Sequence, residues 1–404
     1  MEVGKEPVIN RADCLFLAIR DDIAYSTSLI STIPTIPMQK SPQSTKAIVV
    51  RKSETPKGPQ LYHGAVLESR PLPTLKPGEV LVKMGAVAFN HRDVWIRKGL
   101  YPNIGFGYVF GADGAGTVIA AGDSKDPLLN TRVFLSPQHG WDNHPDAPES
   151  PTFGVIGGVK FPAVGTFAEY VVVARDKVIP SPSHLDDVKT AAWPLAGVTA
   201  WRATMINAAV EAGHNVLITG IGGGVALVAL QLCVAKGANV YVTSGSQEKI
   251  AKAVKLGAKG GANYKDKKWS KQIQDLLQKN SPSNPQLDSV IESAGGDVMN
   301  NLGLILKQGG RVSCYGMHAN PSIPFTMRQV MRNQKLLGST MGSIQDLKDA
   351  TDFLYKHRIV PVVSHVIDGL ESAEEGFELL KNGEQFGKVV IRIDNNGAGV
   401  RAKL

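Results

Sequence analysis

Apolar positions along this chain follow two different rhythms, and the change from one to the other divides it. From Lys46 to about Asp186 the apolar stretches are short and β-rich: AIVVRK, EVLVKMGAVAFN, GTVIAAG, RVFLSP and TFAEYVVVA. Turns rich in proline and glycine, such as Lys76–Pro77–Gly78, separate them, and the pattern predicts a compact, barrel-like all-β unit over 46–186. From about Asp187 to Gly342 strand-like and helix-like patterns alternate, which predicts a parallel sheet with right-handed crossovers over 187–342. The remaining segment, 343–404, ends in the strand-like run GKVVIRI and is expected to return to the first unit.

The most informative stretch is Val216 to Val240, VLITGIGGGVALVALQLCVAKGANV. A short apolar strand runs into a glycine cluster, then into a helical apolar pattern ending at Lys236–Gly237, and a second β-rich stretch begins at Asn239. This is the strand–turn–helix–strand order of a doubly wound, Rossmann-type dinucleotide domain, in which a helix N-terminus receives a pyrophosphate. Gly220 allows the tight turn, Gly223 lets backbone approach phosphate, and Ala226 is small enough for close helix–strand packing. The spacing G-x-x-G-x-x-A, with Gly222 as an additional glycine, is a variant of the fingerprint. Val216 to Ala235 is also long and apolar enough to suggest a membrane span. The glycine run and the β-branched opening argue instead for a buried parallel strand and a turn.

Hydrophobic residues make up 43% and charged residues 20% of the 404 positions, the balance of a globular protein with proper cores. The net charge of +8 is spread through helix-like stretches such as KIAKAVKLGAKGG. It reads as a solvated face, and no basic motif interleaved with aromatics points to nucleic acid. Cys14, Cys233 and Cys314 stand apart, so neither a disulfide framework nor cysteine metal-ligand spacing is present, and a reducing, cytoplasmic setting is expected. Residues 1–45 lack periodicity, and Ser26 to Thr45 is rich in Ser, Thr and Pro. They are expected to form a disordered leader or an over-extended start, because their acidic residues and short LFLAI run fit neither a mitochondrial nor a secretory signal.

The order of motifs over 46–395 resembles the medium-chain dehydrogenases/reductases, specifically their zinc-independent, quinone oxidoreductase-like branch. The resemblance rests on NHRDVWIRKGLYP (90–102), GADGAGTVIAAG (111–122), GTFAEYVVV (165–173), AAWPLAGVTAWRA (191–203), the glycine turn, SGSQEK (244–249), NYK (263–265), GGRV (309–312) and GKVVI. It implies a GroES-like catalytic domain from 46–186 and 343–404, and a Rossmann domain from 187–342. It also implies a homodimer. Zinc dehydrogenases carry a cysteine where this chain has Asn90, and a His-Glu pair where it has Ala112 and Asp113. Where they place a third ligand, this chain is apolar near Leu195, and the loop from Phe134 to Gly165 has no cysteine for a structural zinc. No metal is therefore expected. His91, His139 and His144 are the histidines from which a site would have to be rebuilt.

Without a Lewis acid, alkoxide stabilisation is lost, whereas hydride transfer to an already electrophilic quinone or enone asks only for alignment and a dry pocket. The expected acceptor is a small carbonyl or quinone substrate, with no membrane involved. Asn90 is the first pocket candidate, against a purely capping role for the helix that begins near Asp93. Asp93 is expected to hold local structure, and Asp113 to be a supporting or turn residue. Tyr101 is a candidate pocket wall, with a core tyrosine as the alternative. In the long loop Ser136 to Gly158, Trp141 and Phe153 are candidates for a lid or substrate wall and His139 for a proton donor, against a subunit-contact loop.

The expected cofactor is NADPH. The second strand ends in Ser244–Gly245–Ser246 with no carboxylate until Glu248, so a 2′-phosphate would meet hydroxyl donors and Lys249. The alternative is that Ser-Gly-Ser forms a turn and caps the next helix. Tyr264 is a candidate wall of the adenosine pocket. Gly220, Gly222, Gly223, Gly224, Val225, Gly316 and Lys388 complete the expected cofactor set, together with Asn90. Two rival functions stay open: an enoyl reductase acting on acyl or polyketide thioesters, whose members share the N-x-R-D stretch, and a non-catalytic NADPH- or RNA-binding relative.

Overall fold

The computed structural model describes residues 42–54 and 61–393. Six strands form a wholly parallel sheet: Asn215–Ile218, Asn239–Ser244, Gly260–Asn263, Leu287–Glu292, Leu306–Cys314 and Lys335–Gly338. Counted along the chain they lie in the order 3-2-1-4-5-6, the doubly wound arrangement with its switch point between the first and fourth strands. The first strand is buried on both sides, and its alternation sorts its side chains between two cores. Val216 and Ile218 join the cluster holding Ala226 and Leu230 of helix Gly224–Lys236. Leu217 joins the opposite one, with Ile273 and Leu277 of helix Trp269–Asn280. A sheet covered by helices on both faces requires such continuous apolar strands.

The second sheet is mixed and seven-stranded. Strand Glu79–Ala88 is its centre, pairing antiparallel with Asp113–Ala121, Tyr170–Ala174 and the C-terminal strand Lys388–Arg392. Lys388–Arg392 in turn carries Val363–Asp368 in parallel. A ribbon of Ser44–Arg51 and Gly64–Pro71 bridges to this unit at Ala168 and Val109. Phe89 is the hub of its core, meeting Phe167 and Phe377 edge-on at 4.7 and 5.0 Å. Gly376 makes this possible, since a Cβ there would stand 2.2 Å from the Phe89 ring.

Three details depart from the sequence pattern. The first strand begins at Ser44 rather than Lys46, because Ser44 and Thr45 pair with Pro71 and Arg70. The rest of the expected leader, 1–41, lies outside the described residues, as do 394–404 of the C-terminal segment. Helix Ile344–Lys356, just past the expected boundary at Gly342, buries Leu347, Ala350 and Leu354 in the core of the parallel-sheet lobe. Trp193 Nε1 donates to Thr351 Oγ1 at 2.9 Å, tying that helix to the same lobe. Among the described residues no helix is long and apolar enough to cross a membrane.

Candidate active site and cofactor cleft

A cleft of about 790 Å³ opens between the two sheets and is lined from both. One wall is the glycine turn. Gly220 and Gly222 have φ of +63° and +136°, a region in which a side chain is strained. Gly223 has no atom within 4 Å of where a Cβ would stand, so the turn leaves room for a phosphate beside the first amides of helix Gly224–Lys236. Gly224 is required by a neighbour, since a Cβ there would meet Lys388 Cδ at 2.7 Å. Gly220, Gly222, Gly223, Gly224, Val225, Ser244, Lys249 and Tyr264 all line the cleft.

Opposite the turn stands a buried polar network. Asn90 occupies the cap position of helix His91–Arg97, and its side chain reaches residues of distant segments. Its Oδ1 accepts from Lys388 Nζ at 2.7 Å, and its Nδ2 donates to Asp113 Oδ2 at 2.9 Å. Lys388 Nζ also lies 2.7 Å from Asp113 Oδ2, and Asp113 Oδ1 accepts from the Leu195 amide at 2.8 Å. Asp113 is thus more than a turn residue, because its carboxylate joins the barrel-like lobe to the C-terminal strand and to helix Pro194–Trp201. Asp93 has the structural role expected of it. It accepts from the Asn90 amide at 2.8 Å, and burial raises its carboxyl to about 6 while Arg92 opposes the rise. Arg92 spans to the Ile156 carbonyl at 2.7 Å and lies over the Tyr101 ring, a cleft wall, at 4.6 Å.

A zinc ion does not fit these residues. Asn90 and Asp113 already share one ammonium, Leu195 contributes a backbone amide rather than a ligand, and neither thiolate nor imidazole joins them. Among the described residues no group of three or more His, Cys, Asp or Glu is arranged to hold a metal ion.

Four expected site residues lie elsewhere. Trp141 is only 2% exposed and lines no part of the cleft. Its ring sits under the Arg202 guanidinium at 4.4 Å and against Phe153 at 5.9 Å, and its Nε1 donates to the His144 carbonyl. The loop around it is fastened rather than lid-like. Ile344 and Gln345 amides donate to the Trp141 and Asp142 carbonyls at 2.9 Å, and Glu149 gathers three backbone amides that hold its carboxyl down to about 2. His139 is exposed beside Phe161, away from the cleft. Ser246 caps helix Gln247–Lys255, its Oγ accepting from the Lys249 amide at 3.3 Å, and does not reach the cleft. Gly316 is screened by the ring of His318, which would stand 2.9 Å from a Cβ there.

The cleft also holds His91, named from the sequence only as a histidine from which a metal site would have to be rebuilt, and His318 and Glu292, which the sequence did not single out. His91 and His318 come from opposite lobes, with ring centroids 5.5 Å apart. The His91 ring is exposed on the cleft, whose walls remove part of its hydration. That loss, with His318, Lys388 and Lys98 nearby, pushes its imidazole down to about 4. His318 Nδ1 faces the Ser293 carbonyl at 2.9 Å. Glu292, at the end of the fourth parallel strand, accepts from the Gly295 amide at 2.9 Å, and burial raises its carboxyl. Their meeting depends on how distant elements are brought together, so no local spacing marks them.

A 3-2-1-4-5-6 parallel sheet whose glycine turn opens on a cleft shared with a barrel-like lobe is the build of a dinucleotide-dependent oxidoreductase. Residues 76–183 match the alcohol dehydrogenase GroES-like domain and residues 224–356 the zinc-binding dehydrogenase family. The chain is 39% identical over 354 residues to the zinc-type alcohol dehydrogenase-like protein YogA of Leptosphaeria maculans, covering 85% of this chain and 98% of that protein. It is 25% identical over 401 residues to a crotonyl-CoA carboxylase/reductase of Cereibacter sphaeroides, covering 90% and 91%. A crystal structure of an NAD-dependent alcohol dehydrogenase superposes with a TM-score of 0.73 at 30% identity, covering 86% of this chain and all of that one. The chain belongs to the medium-chain dehydrogenase/reductase superfamily, and it is an oxidoreductase of that family's nicotinamide-dependent type.

Proposed function

We propose that this protein is a zinc-independent, NADPH-dependent reductase that delivers hydride to a quinone or an α,β-unsaturated carbonyl. The observation that carries this reading is the buried Lys388 ammonium, shared between Asn90 and Asp113 at 2.7 Å each. It spends the oxygens with which a metal would have been held. The amides at the start of helix Gly224–Lys236 receive the pyrophosphate. Ser244, Lys249 and Tyr264 surround the adenosine end, and the absence of an acidic side chain at 244–246 favours the 2′-phosphate. The bound cofactor supplies hydride. Asn90, Tyr101, Leu195 and Thr199 provide walls for the acceptor. The proton that completes reduction comes from water or from His318, which lines the cleft whereas His139 stands outside it.

The barrel-like catalytic domain takes the first unit to about 186 with strands Val363–Asp368 and Lys388–Arg392, and the Rossmann domain takes 187–342 with helix Ile344–Lys356. The mixed sheet supports this division by drawing Lys388–Arg392 beside Glu79–Ala88. Assembly as a homodimer is supported by the edge strand Lys335–Gly338, unpaired on its outer side and preceded by exposed Met327, Val330 and Met331. An enoyl thioester acceptor is the second reading, favoured by the similarity to the crotonyl-CoA enzyme. The deciding experiment follows NADPH consumption with quinones, enals, enones and enoyl thioesters, with metal content measured in parallel. Fastest turnover of an enoyl thioester selects the second reading. Turnover of none, with salt-sensitive RNA binding, would replace both by a non-catalytic role.

A further inference from the structure

The segment Gly383–Gly387 belongs to the C-terminal part of the chain, yet it lies across the glycine turn. Lys249 Nζ donates to the Gly383 carbonyl and the Gly387 amide donates to the Gly222 carbonyl, both at 2.9 Å. Lys252 Nζ lies 5.7 Å from the centre of the Phe386 ring. Between these fixed points, Gln385 is 5% exposed and lines the cleft, and its Oε1 has no hydrogen-bond partner. A buried amide oxygen without a donor is costly, so its retention in a ligand cleft points to a ligand that brings the donor.

We propose that Gln385 recognises the free hydroxyl of the cofactor's adenosine ribose. This rests on the dinucleotide reading above and adds a residue from the opposite lobe to that site. The ligand chemistry follows from the position. A phosphate carries no proton to give an amide oxygen at neutral pH, whereas a sugar hydroxyl does. Gly222 belongs to the turn that receives phosphate, and Lys249 follows the strand end where adenosine ribose is read. A carboxamide there offers both halves of the match, Oε1 to the hydroxyl and Nε2 to a neighbouring phosphate oxygen. Because Gly387 is bonded to the turn and Gly383 to Lys249, the carboxamide is held in place before the cofactor arrives.

The test compares wild type with Gln385→Met, which keeps length but removes both polar atoms, and with Gln385→Asn, which shortens the reach. Dissociation constants are measured for NADPH, NADH, ADP, 2′-deoxy-ADP and 3′-deoxy-ADP, and the melting temperature is read without ligand. Gln385→Met should bind the dinucleotides about tenfold more weakly at an unchanged or higher melting temperature, and Gln385→Asn should fall between it and wild type. One of the deoxy nucleotides should lose affinity for wild type but not for Gln385→Met. Dinucleotide affinities within twofold of wild type in both variants, or equal deoxy losses in wild type and Gln385→Met, would overturn the assignment while leaving the dinucleotide site standing. A wild-type protein that binds neither NADPH nor NADH would overturn both.

Discussion

Lys388 Nζ and Asp113 Oδ2 lie 2.7 Å apart across 275 residues of chain, with both side chains almost wholly removed from water. Two buried ions are tolerated only when each is fully hydrogen-bonded, and Asn90 and the Leu195 amide complete the arrangement. The pair fixes the C-terminal strand against the cleft wall.

Breaking one side of this pair should be expensive. Lys388→Met leaves the Asp113 carboxylate buried without its counter-ion and should cost about 3–5 kcal/mol of unfolding free energy. The double variant Lys388→Met/Asp113→Asn restores neutrality and should recover a large part of the loss. Urea titrations of the two single variants and the double variant form the cycle. Simple additivity would show that the two residues do not act as a pair.

Catalysis should proceed without metal. The purified protein should contain far less than one zinc per chain, and a chelator should leave its activity intact. Stoichiometric zinc by elemental analysis, with activity lost to chelation and restored by zinc, would contradict this reading.

Trp141→Ala should act on stability rather than on acceptor choice. The ring is buried under Arg202 and against Phe153, so truncation should cost about 3–5 kcal/mol. At temperatures where the variant is folded, KM ratios across an acceptor panel should match wild type. A selective change in KM for one acceptor class would return the loop to the substrate site.

NADPH should bind more tightly than NADH. Lys249 has one ammonium hydrogen committed to the Gly383 carbonyl, which leaves two for a phosphate. Lys249→Ala should weaken NADPH binding by about 1–3 kcal/mol with little change for NADH, and Ser244→Asp should narrow or reverse the preference. Equal calorimetric affinities for the two cofactors in wild type would refute the assignment.

Asp93 should give the protein a measurable pH dependence. Its carboxyl is raised from 3.8 to about 6, chiefly by burial, so the native state holds the proton more tightly than the unfolded chain. That contribution is complete below about 3.8 and is lost as pH rises through about 6. Asp93→Asn keeps an acceptor for the Asn90 amide but cannot ionise. Between pH 4 and 7 its stability should therefore change by about 2–3 kcal/mol less than that of wild type. Superimposable pH profiles of the two proteins would refute this.

The amino-acid sequence by itself determined the elements and the cofactor end of the site, since both depend on neighbours in the chain. The run from Val216 through the glycines to Lys236 contains its own strand, turn and helix, and Gly220 and Gly222 stand where a positive φ requires glycine. Ser246 carried two readings, phosphate donor and helix cap, and its geometry is that of the cap. What only the tertiary structure decided are contacts between distant segments. Lys388 was expected among the cofactor residues, but its pairing with Asn90 and Asp113 came only with the mixed sheet. Trp141 looked like a loop aromatic until Arg202 and helix Ile344–Lys356 covered it. His91, His318 and Gln385 become cleft residues only because two lobes meet. Hydrophobic period and turn chemistry act over a few residues and can be read along the chain. Burial and ion pairing depend on which surfaces come together, and no local pattern records that.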